Sequence, residues 1–371
     1  MFVRTNRTLS AAASLVALAA SIAAPAAANP RPILARAIAH GFMPLVRSVG
    51  PATIQHLHTV TTVGSTQDVA NGDGNPYGLA LSPTNNGKIL SQHFLVCNFN
   101  DGFNIQSLGT TLETIGFTPG TSKVSRVSSD PRFTGCGAIA LSPKVIFMTS
   151  YTANEIVGLD YNGNIVGTLT DNSLAGPWGM TYGNPSRPEL FVSNAYTGNI
   201  VRINLSGPTP TFTTIVTGIQ PNHGVPGTIL APSGLTYVAA TDTLAVVDGL
   251  GNRFFTFSHA SALPSNAVVV GPTGFSGPGA VYSKVLFTGA PLNAPVSAAY
   301  IPFNGHFVIG NTGDNNMVEI SGNGGLVGTR LVDAGAAGAI FGIVATGTSD
   351  LNAKIYFNDD NDNTLKVLQL P

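Results

Sequence analysis

Short apolar runs alternate with turns rich in Gly, Pro and Asn along most of the chain, and one order of runs recurs six times. Each unit opens with a Pro- or Gly-led apolar run, whose third positions are residues 78, 138, 179, 234, 297 and 342. A second apolar run, rich in β-branched and aromatic residues, is followed by alternating runs separated by turns. These patterns predict four antiparallel strands per unit. Six such units, each covered by its neighbours, predict an all-β, six-bladed β-propeller.

The two ends of the repeat region predict how the ring closes. The last unit reaches its third strand at residues 364–370, so a fourth strand is missing there. Residues 54–63 alternate like a strand but precede the first unit. We therefore expect residues 54–63 to pair with residues 364–370, and the propeller to span residues 54–371. A β-sandwich is the alternative architecture, but it predicts no sixfold recurrence.

The first 28 residues match a secretory signal peptide. Arg4 and Arg7 precede an uncharged, Ala-rich stretch, and the small residues 26–28 form a cleavage signal. A membrane anchor is the alternative, although the apolar stretch is marginal in length for a span. Residues 29–53 are a lead-in segment of different composition. We expect the cleaved protein to be exported to the periplasm or the extracellular medium, without a membrane span and as a monomer.

The charge balance excludes one class of partner. Charged residues are 9% of the chain, with 17 Lys and Arg against 18 Asp and Glu. A nucleic-acid-binding protein would carry a basic surface, so no nucleic-acid partner is expected. The two cysteines suit an oxidising compartment. Cys97 ends the second run of unit one and Cys136 begins unit two, so a disulfide is predicted, with buried free thiols as the alternative.

Unit three carries a resemblance to a known repeat. The run Pro177-Trp178-Gly179-Met180, followed by residues 190–194 and 198–203, resembles an NHL-type repeat. The resemblance covers residues 54–371 and implies a six-bladed propeller, a fold that hosts many functions. It also makes the chain distantly similar to gluconolactonase and senescence-marker-type propellers, in which an acid at the start of an inner strand helps to hold a metal. The matching positions here contain no acid; they are Tyr77, Gly137, Trp178, Ser233, Val296 and Phe341. In the similar streptogramin-lyase-like propellers a His and Glu arrangement acts near the channel, and the seven His of this chain do not reproduce it in sequence.

One face of the predicted ring collects the loops that enter the inner strands and the loops that follow the second strands. We expect a ligand to bind at this channel mouth. The candidate binding residues are Tyr77, Trp178, Asn194, Tyr196, Asn311 and Phe341. Trp178 is the only Trp and could stack on a flat ligand or plug the channel. The recurring Asn residues have a structural alternative, in which each side chain caps its own turn.

Three residues at this mouth are candidates for acid–base chemistry. They are Asp248, His223 and Asp359, and the two carboxylates are also the candidate metal ligands. No cofactor is predicted, with Ca²⁺ or another divalent cation as the alternative. The acid-rich turn at residues 358–363 resembles the start of an EF-hand loop but lacks its Gly and its closing Glu. The sequence thus predicts an exported, non-catalytic propeller that binds a small molecule, glycan or protein. The alternative is a lactonase-like hydrolase or lyase that uses Asp248 and His223.

Overall fold

The structure, a computed structural model, describes residues 52–120, 122–224 and 229–371. The expected signal peptide at residues 1–28 lies outside these residues, as does most of the lead-in segment at residues 29–53. The described part of the chain forms six small β-sheets arranged in a ring, which confirms the six-bladed β-propeller. Within it, no helix is long and apolar enough to cross a membrane.

Each blade is built on four antiparallel strands, which pair in chain order from the inner to the outer strand in blades one to five, whereas β1 is the outer strand of blade six. Blade one contains β2 (Gly74–Leu81), β3 (Phe94–Asn100), β4 (Thr111–Ile115) and β5 (Val124–Ser129). Blade two contains β6 (Ile139–Leu141), β7 (Ile146–Ser150), β8 (Glu155–Leu159) and β9 (Ile165–Leu169). Blade three contains β10 (Pro177–Tyr182), β11 (Glu189–Asn194), β12 (Ile200–Asn204) and β13 (Thr211–Thr217). Blade four contains β14 (Pro232–Val238), β15 (Thr243–Asp248), β16 (Arg253–Ser258) and β19 (Ser283–Thr288). Blade five contains β20 (Pro295–Ile301), β21 (His306–Asn311), β22 (Asn316–Ile320) and β23 (Leu326–Leu331). Blade six contains β24 (Ile340–Thr346), β25 (Lys354–Asp359), β26 (Thr364–Gln369) and β1 (Thr59–Ser65).

Blade six closes the ring with a strand from the front of the described chain. Strand β1 pairs antiparallel with β26, so that Thr59 lies opposite Gln369 and Ser65 lies opposite Thr364. This pairing confirms the predicted closure. It ties the two ends of the propeller together by a backbone hydrogen-bond ladder, which leaves no open seam in the ring.

The start of the closing segment differs from the prediction. Residues Thr53–His56 form a short helix, α1, so the strand expected from residue 54 begins only at residue 59. Ile54 and Leu57 are fully buried in the core shared by blades five and six. Side chains three positions apart share a face in a helix but not in a strand. The backbone N–H of Ile54 also donates to the buried carboxylate of Glu319 at 2.9 Å, which fixes the helix on blade five.

A long connection between β16 and β19 adds two strands that the sequence pattern did not indicate. They are β17 (Val268–Val270) and β18 (Phe275–Ser276), and β17 pairs in parallel with β13, where Val216 lies opposite Val268. The sheet of blade three therefore has six strands. Short 3-10 helices occur at Pro131–Phe133, Ala239–Thr241, Ala260–Ala262 and Ala280–Tyr282.

The core lies between neighbouring blades. At the seam of blades six and one, Val96 and Ile115 pack with Val63, Tyr356 and other buried side chains, which removes both sheet faces from water. Blades one and two are also joined covalently. Cys97 of β3 and Cys136, just before β6, form a disulfide with Cα atoms 5.8 Å apart, which confirms the predicted bond.

Candidate functional site

The opening of each inner strand explains why aromatic side chains gather at the axis. Inner strands carry a register irregularity near their start, as between Pro76 and Gly78 in blade one, and such irregularities change the direction of a side chain. The glycine is required by the close approach of neighbouring inner strands. A Cβ on Gly342 would lie 2.6 Å from the carbonyl oxygen of Tyr77, and one on Gly234 would lie 2.8 Å from the carbonyl carbon of Ser297. The recurring glycine therefore permits close packing around a narrow axis.

Tyr77 and Phe341 form an aromatic floor at the channel mouth, with ring centroids 3.7 Å apart. Trp178 lies behind Tyr77 at 5.3 Å in an edge-on arrangement, and Phe99 lies 4.6 Å from Tyr77. Below this floor the channel narrows to a cavity of about 110 Å³ lined by the inner strands. The floor thus separates this narrow channel from the wider space above it.

Above the aromatic floor lies a cavity of about 480 Å³, called here the mouth cavity. Its lining combines amide, hydroxyl and apolar side chains with one carboxyl group, and includes Asn75, Asn100, Asn104, Thr312, Asn361, Ile229, Val296 and Asp360. This is the composition of a small-molecule site, in which apolar surface supplies contact area and a few polar groups fix orientation. Tyr77 and Phe341 are the candidate binding residues from the sequence that line it.

Trp178 lies in the packed cluster around the floor. Its side chain is only 4% exposed and contacts Tyr77, Phe99 and Tyr151 at ring distances between 5.2 and 5.9 Å. The sequence left two roles open for Trp178, a plug of the channel and a platform on which a flat ligand stacks. This buried environment favours the plug. Tyr196 differs, because its ring is 44% exposed and lies 5.2 Å from Tyr151.

The Asn residues at the ends of second strands hold their own blades together. Asn194 is fully buried, its Nδ2 donates to the carbonyl of Ser173 at 2.7 Å and its Oδ1 accepts from the backbone N–H of Ala175. Asn311, equally buried, donates to the carbonyl of Pro291 at 2.8 Å. In both blades the amide fastens the loop that enters the inner strand. The structure therefore places both Asn side chains in structural contacts and away from the surface of the mouth cavity.

Asp248 is fully buried and forms an ion pair with the next strand. Its Oδ2 lies 2.8 Å from Nε of Arg253, and its Oδ1 accepts from the backbone N–H of Gly251. His223 takes a different position, because its Nδ1 lies 2.9 Å from the carbonyl oxygen of Tyr196. The described contacts thus join Asp248 to Arg253 and His223 to blade three, and they do not bring the two predicted acid–base residues together.

Asp359 and Asp360 follow each other at the end of β25 and have separate roles. Asp359 is fully buried and its Oδ2 lies 2.7 Å from Nζ of Lys366. Burial raises the pKa of Asp359 to about 6, against the lowering effect of Lys366. Asp360 lines the mouth cavity, and its Oδ2 accepts from Nδ2 of Asn75 at 3.0 Å. Burial, and to a lesser degree the charge of Asp359, raises the pKa of Asp360 to about 7.

The candidate metal ligands each hold a side-chain cation. Asp248 holds Arg253, while Asp359 shares Lys366 with Asp362 and Asp333. In the described part of the chain, no three His, Cys, Asp or Glu side chains are grouped as the ligands of a metal ion would be.

The sequence analysis did not predict two features of the site, and only one of them has a recognisable signal in the sequence. Asp248 lies opposite Arg253 across the β15–β16 hairpin, so an acid and a base five residues apart around a turn could have indicated the ion pair. Asp360 belongs to the acid-rich turn at residues 358–363, and the sequence does not single it out. Its hydrogen-bond partner Asn75 is 285 residues away along the chain, and no local sequence pattern indicates such a contact.

No family model and no curated protein matches the chain. Solved structures share its fold. A virginiamycin B lyase from Staphylococcus aureus is 14% identical with a TM-score of 0.53, covering 84% of this chain and 99% of that chain. A gluconolactonase from Xanthomonas campestris is 9% identical with a TM-score of 0.57, covering 86% and 93%. An auxiliary nutrient binding protein from Bacteroides thetaiotaomicron is 12% identical with a TM-score of 0.56, covering 83% and 75%.

These neighbours are six-bladed propeller proteins and agree with the fold of this chain. Identities of 9 to 14% show the fold alone. The neighbours include a lyase, a lactonase and a binding protein, so the fold is compatible with both functions that the sequence left open.

Proposed function

We propose that this protein is an exported, non-catalytic propeller that binds a small polar molecule in the mouth cavity. The observation that carries the proposal is the cavity itself, with about 480 Å³ of space, an aromatic floor and amide-rich walls. This volume lies in the range of roughly 300–1,000 Å³ that small-molecule sites occupy. A ligand of one or two rings would fill it, whereas a glycan chain or a protein would contact mainly the rim.

The polar groups of the cavity support recognition by hydrogen bonds. Asn100 is 6% exposed, its Nδ2 donates to Oδ1 of Asn104 at 2.7 Å and its Oδ1 accepts from the backbone N–H of Ser107. A side chain held by several partners keeps one orientation, so it presents a defined polar surface to a ligand. Thr312 is held similarly, because its hydroxyl donates to the carbonyl of Ala294.

A catalytic function is the less favoured candidate. General acid–base chemistry needs titratable groups that converge on one reacting centre. Among the described residues that line the mouth cavity, Asp360 is the one carboxyl group, and no His is present. Asp248 and His223, the predicted catalytic pair, contact Arg253 and the carbonyl of Tyr196. Binding without reaction therefore fits the cavity better than a hydrolase or lyase.

Export is part of the proposal. The disulfide between Cys97 and Cys136 supports an oxidising compartment, because such bonds are rare where cellular thiols are kept reduced. Cell fractionation of the producing organism tests this part: the protein should be recovered outside the cytoplasm with residues 1–28 removed. Recovery in the cytoplasm with an intact N-terminus would contradict export without touching the binding proposal.

The binding proposal is tested by ligand-observed NMR with a library of small polar compounds. Gln106 lines the cavity, and Gln106→Trp would occupy its space. The control is Lys144→Trp, at an exposed site outside the lining of the mouth cavity. We expect compounds that bind the wild type and the control variant but lose at least about tenfold in affinity with Gln106→Trp. Equal binding to both variants, or no binding to the wild type, would refute the mouth cavity as the ligand site.

A further inference from the structure

Asp360 is a carboxyl group with no cationic partner among the described residues. The ion pairs of the described residues connect Lys366 to Asp333, Asp359 and Asp362, and none of them connects a basic side chain to Asp360. The described hydrogen bond to its carboxyl group comes from the neutral amide of Asn75. Burial raises the pKa of Asp360 to about 7, so at neutral pH the protonated and the ionised carboxyl group are similarly populated. A positive charge in the cavity would stabilise the ionised form.

The surroundings of Asp360 also present electron-rich groups to the cavity. The rings of Tyr77 and Phe341 form the floor, and an aromatic face attracts a cation. Tyr77 is only 7% exposed, and burial together with the charge of Asp360 raises its pKa, so its ring stays neutral. The Oδ1 atom of Asn75 is buried and has no hydrogen-bond donor among the described residues. One amide oxygen without a donor among the described residues and two aromatic rings thus share this cavity with the carboxyl group.

The charges near the cavity have the same sign. Asp333, Asp359 and Asp362 lie around the single amine of Lys366, and Asp360 follows Asp359 at the blade-six side of the mouth. Four carboxyl groups against one ammonium leave this side negative when all are ionised, and such a surface concentrates cations at the opening. An anionic ligand would be repelled, whereas a cationic ligand would be attracted and would compensate the ionised form of Asp360.

We propose that the ligand of the mouth cavity is a small organic amine whose ammonium group pairs with Asp360 while its apolar part packs on Tyr77 and Phe341. This inference rests on the proposed function, and it names the chemical class of the ligand. An alkyl ammonium satisfies the carboxylate and the aromatic faces together, which a sugar or an alcohol does not. Asp360 is then the residue that determines specificity.

Calorimetry with a matched pair of probes tests the inference. Phenethylamine and 2-phenylethanol have nearly the same shape, but only the amine is charged at neutral pH. We expect the purified wild-type protein at about pH 8 to bind the amine at least about tenfold more tightly than the alcohol. Asp360→Asn should abolish this preference. Asp160→Asn is the control, since this acid lies in the turn between β8 and β9 and outside the lining of the mouth cavity, and it should keep the preference.

Proton release gives a second readout that needs no variant. At about pH 6.5 a large share of Asp360 is protonated, so binding of an ammonium ion should release protons, and calorimetry in two buffers of different ionisation enthalpy measures this. Amine affinity should therefore rise with pH from about 5.5 to 8. The other titratable groups near the site are Tyr77, Asp333, Asp359, Asp362 and Lys366.

The outcomes separate the two proposals. An amine that binds no more tightly than the alcohol, that keeps its preference in Asp360→Asn, or that binds without proton release would overturn the inference. In those cases binding of either probe that is lost in Gln106→Trp would still support the mouth cavity as the ligand site. If phenethylamine does not bind to the wild type at all, the inference is wrong, and the compound library then tests the proposed function on its own.

Discussion

Blades four and six end their second strands with the same residue type, yet only blade six contributes a carboxyl group to the mouth cavity. Asp248 ends β15 and Asp359 ends β25, and each binds a cation from the third strand of its blade. The next residue differs. A Cβ on Gly249 would lie 2.9 Å from the carbonyl oxygen of Pro295, whereas Asp360 has room to line the cavity. The strand-end acid therefore forms an ion pair within its own blade, and in blade six the residue after it lines the cavity.

The ion pair in blade four gives the largest expected effect. Arg253→Met would leave the fully buried Asp248 without its cation. Removing one partner of a buried ion pair leaves the other charge buried without compensation. We therefore expect a loss of about 3 kcal/mol in the free energy of unfolding, measured by urea denaturation. The control is Arg132→Met, because the Arg132–Asp130 pair is exposed to solvent and its loss should change the free energy of unfolding far less than the loss of Arg253. Similar losses in the two variants would show that Asp248 does not depend on Arg253.

The equivalent change in blade six should cost less and should depend on pH. Lys366→Met removes the cation from Asp359, whose pKa is already raised to about 6. When a carboxyl group has a raised pKa in the folded state, the free energy of unfolding falls as the pH rises through that pKa. Loss of Lys366 raises the pKa of Asp359 further, so this fall becomes larger. We expect little loss near pH 4 and about 2 kcal/mol near pH 8, again by urea denaturation. A loss that is the same at both pH values would contradict this account.

The repeated Asn caps should affect stability without affecting binding. Asn194→Ala removes hydrogen bonds to Ser173 and Ala175 and leaves their backbone groups without these partners. We expect a loss of about 1–2 kcal/mol in the free energy of unfolding. Affinity for any ligand of the mouth cavity should stay within about twofold, as measured by calorimetry. A large loss of affinity in a folded variant would return Asn194 to the binding site.

Neutralising Asp360 should produce the smallest change, and in the opposite direction. Its pKa of about 7 in the folded protein exceeds the usual value, so the fold loses stability as the pH rises from the usual carboxyl range to about 7. Asp360→Asn should therefore raise the free energy of unfolding by about 1 kcal/mol at pH 8 and by less at pH 5. Destabilisation at pH 8 would mean that Asp360 has a stabilising partner, and would weaken the comparison of the two blades.

The fold was largely predictable because the same order of apolar runs and turns recurs in the sequence of each blade. The opening glycines reflect close approach at the axis, as at Gly342, and the apolar second strands reflect burial between blades, as in β11. The disulfide followed from the positions of Cys97 and Cys136 in adjacent units. Helix α1 could not be predicted from alternation, because its conformation depends on packing against blade five and on the carboxylate of Glu319.

The candidate site was only partly predictable. Tyr77 and Phe341 were identified because they occupy a repeated position at the channel mouth. Asp360 was not singled out, because its raised pKa arises from burial and from the charge of Asp359, and its hydrogen bond with Asn75 joins residues that only ring closure brings together. Repetition thus indicated the scaffold, and the departures from repetition carry the proposed chemistry. The expected NHL-type family remains a prediction.

A crystal structure of the protein soaked with phenethylamine tests the central claim most directly. We predict density in the mouth cavity, with the ammonium within hydrogen-bonding distance of Asp360 and the phenyl ring on Tyr77 and Phe341. Density at the opposite end of the channel, or an amine in the mouth cavity that turns away from Asp360, would contradict the account.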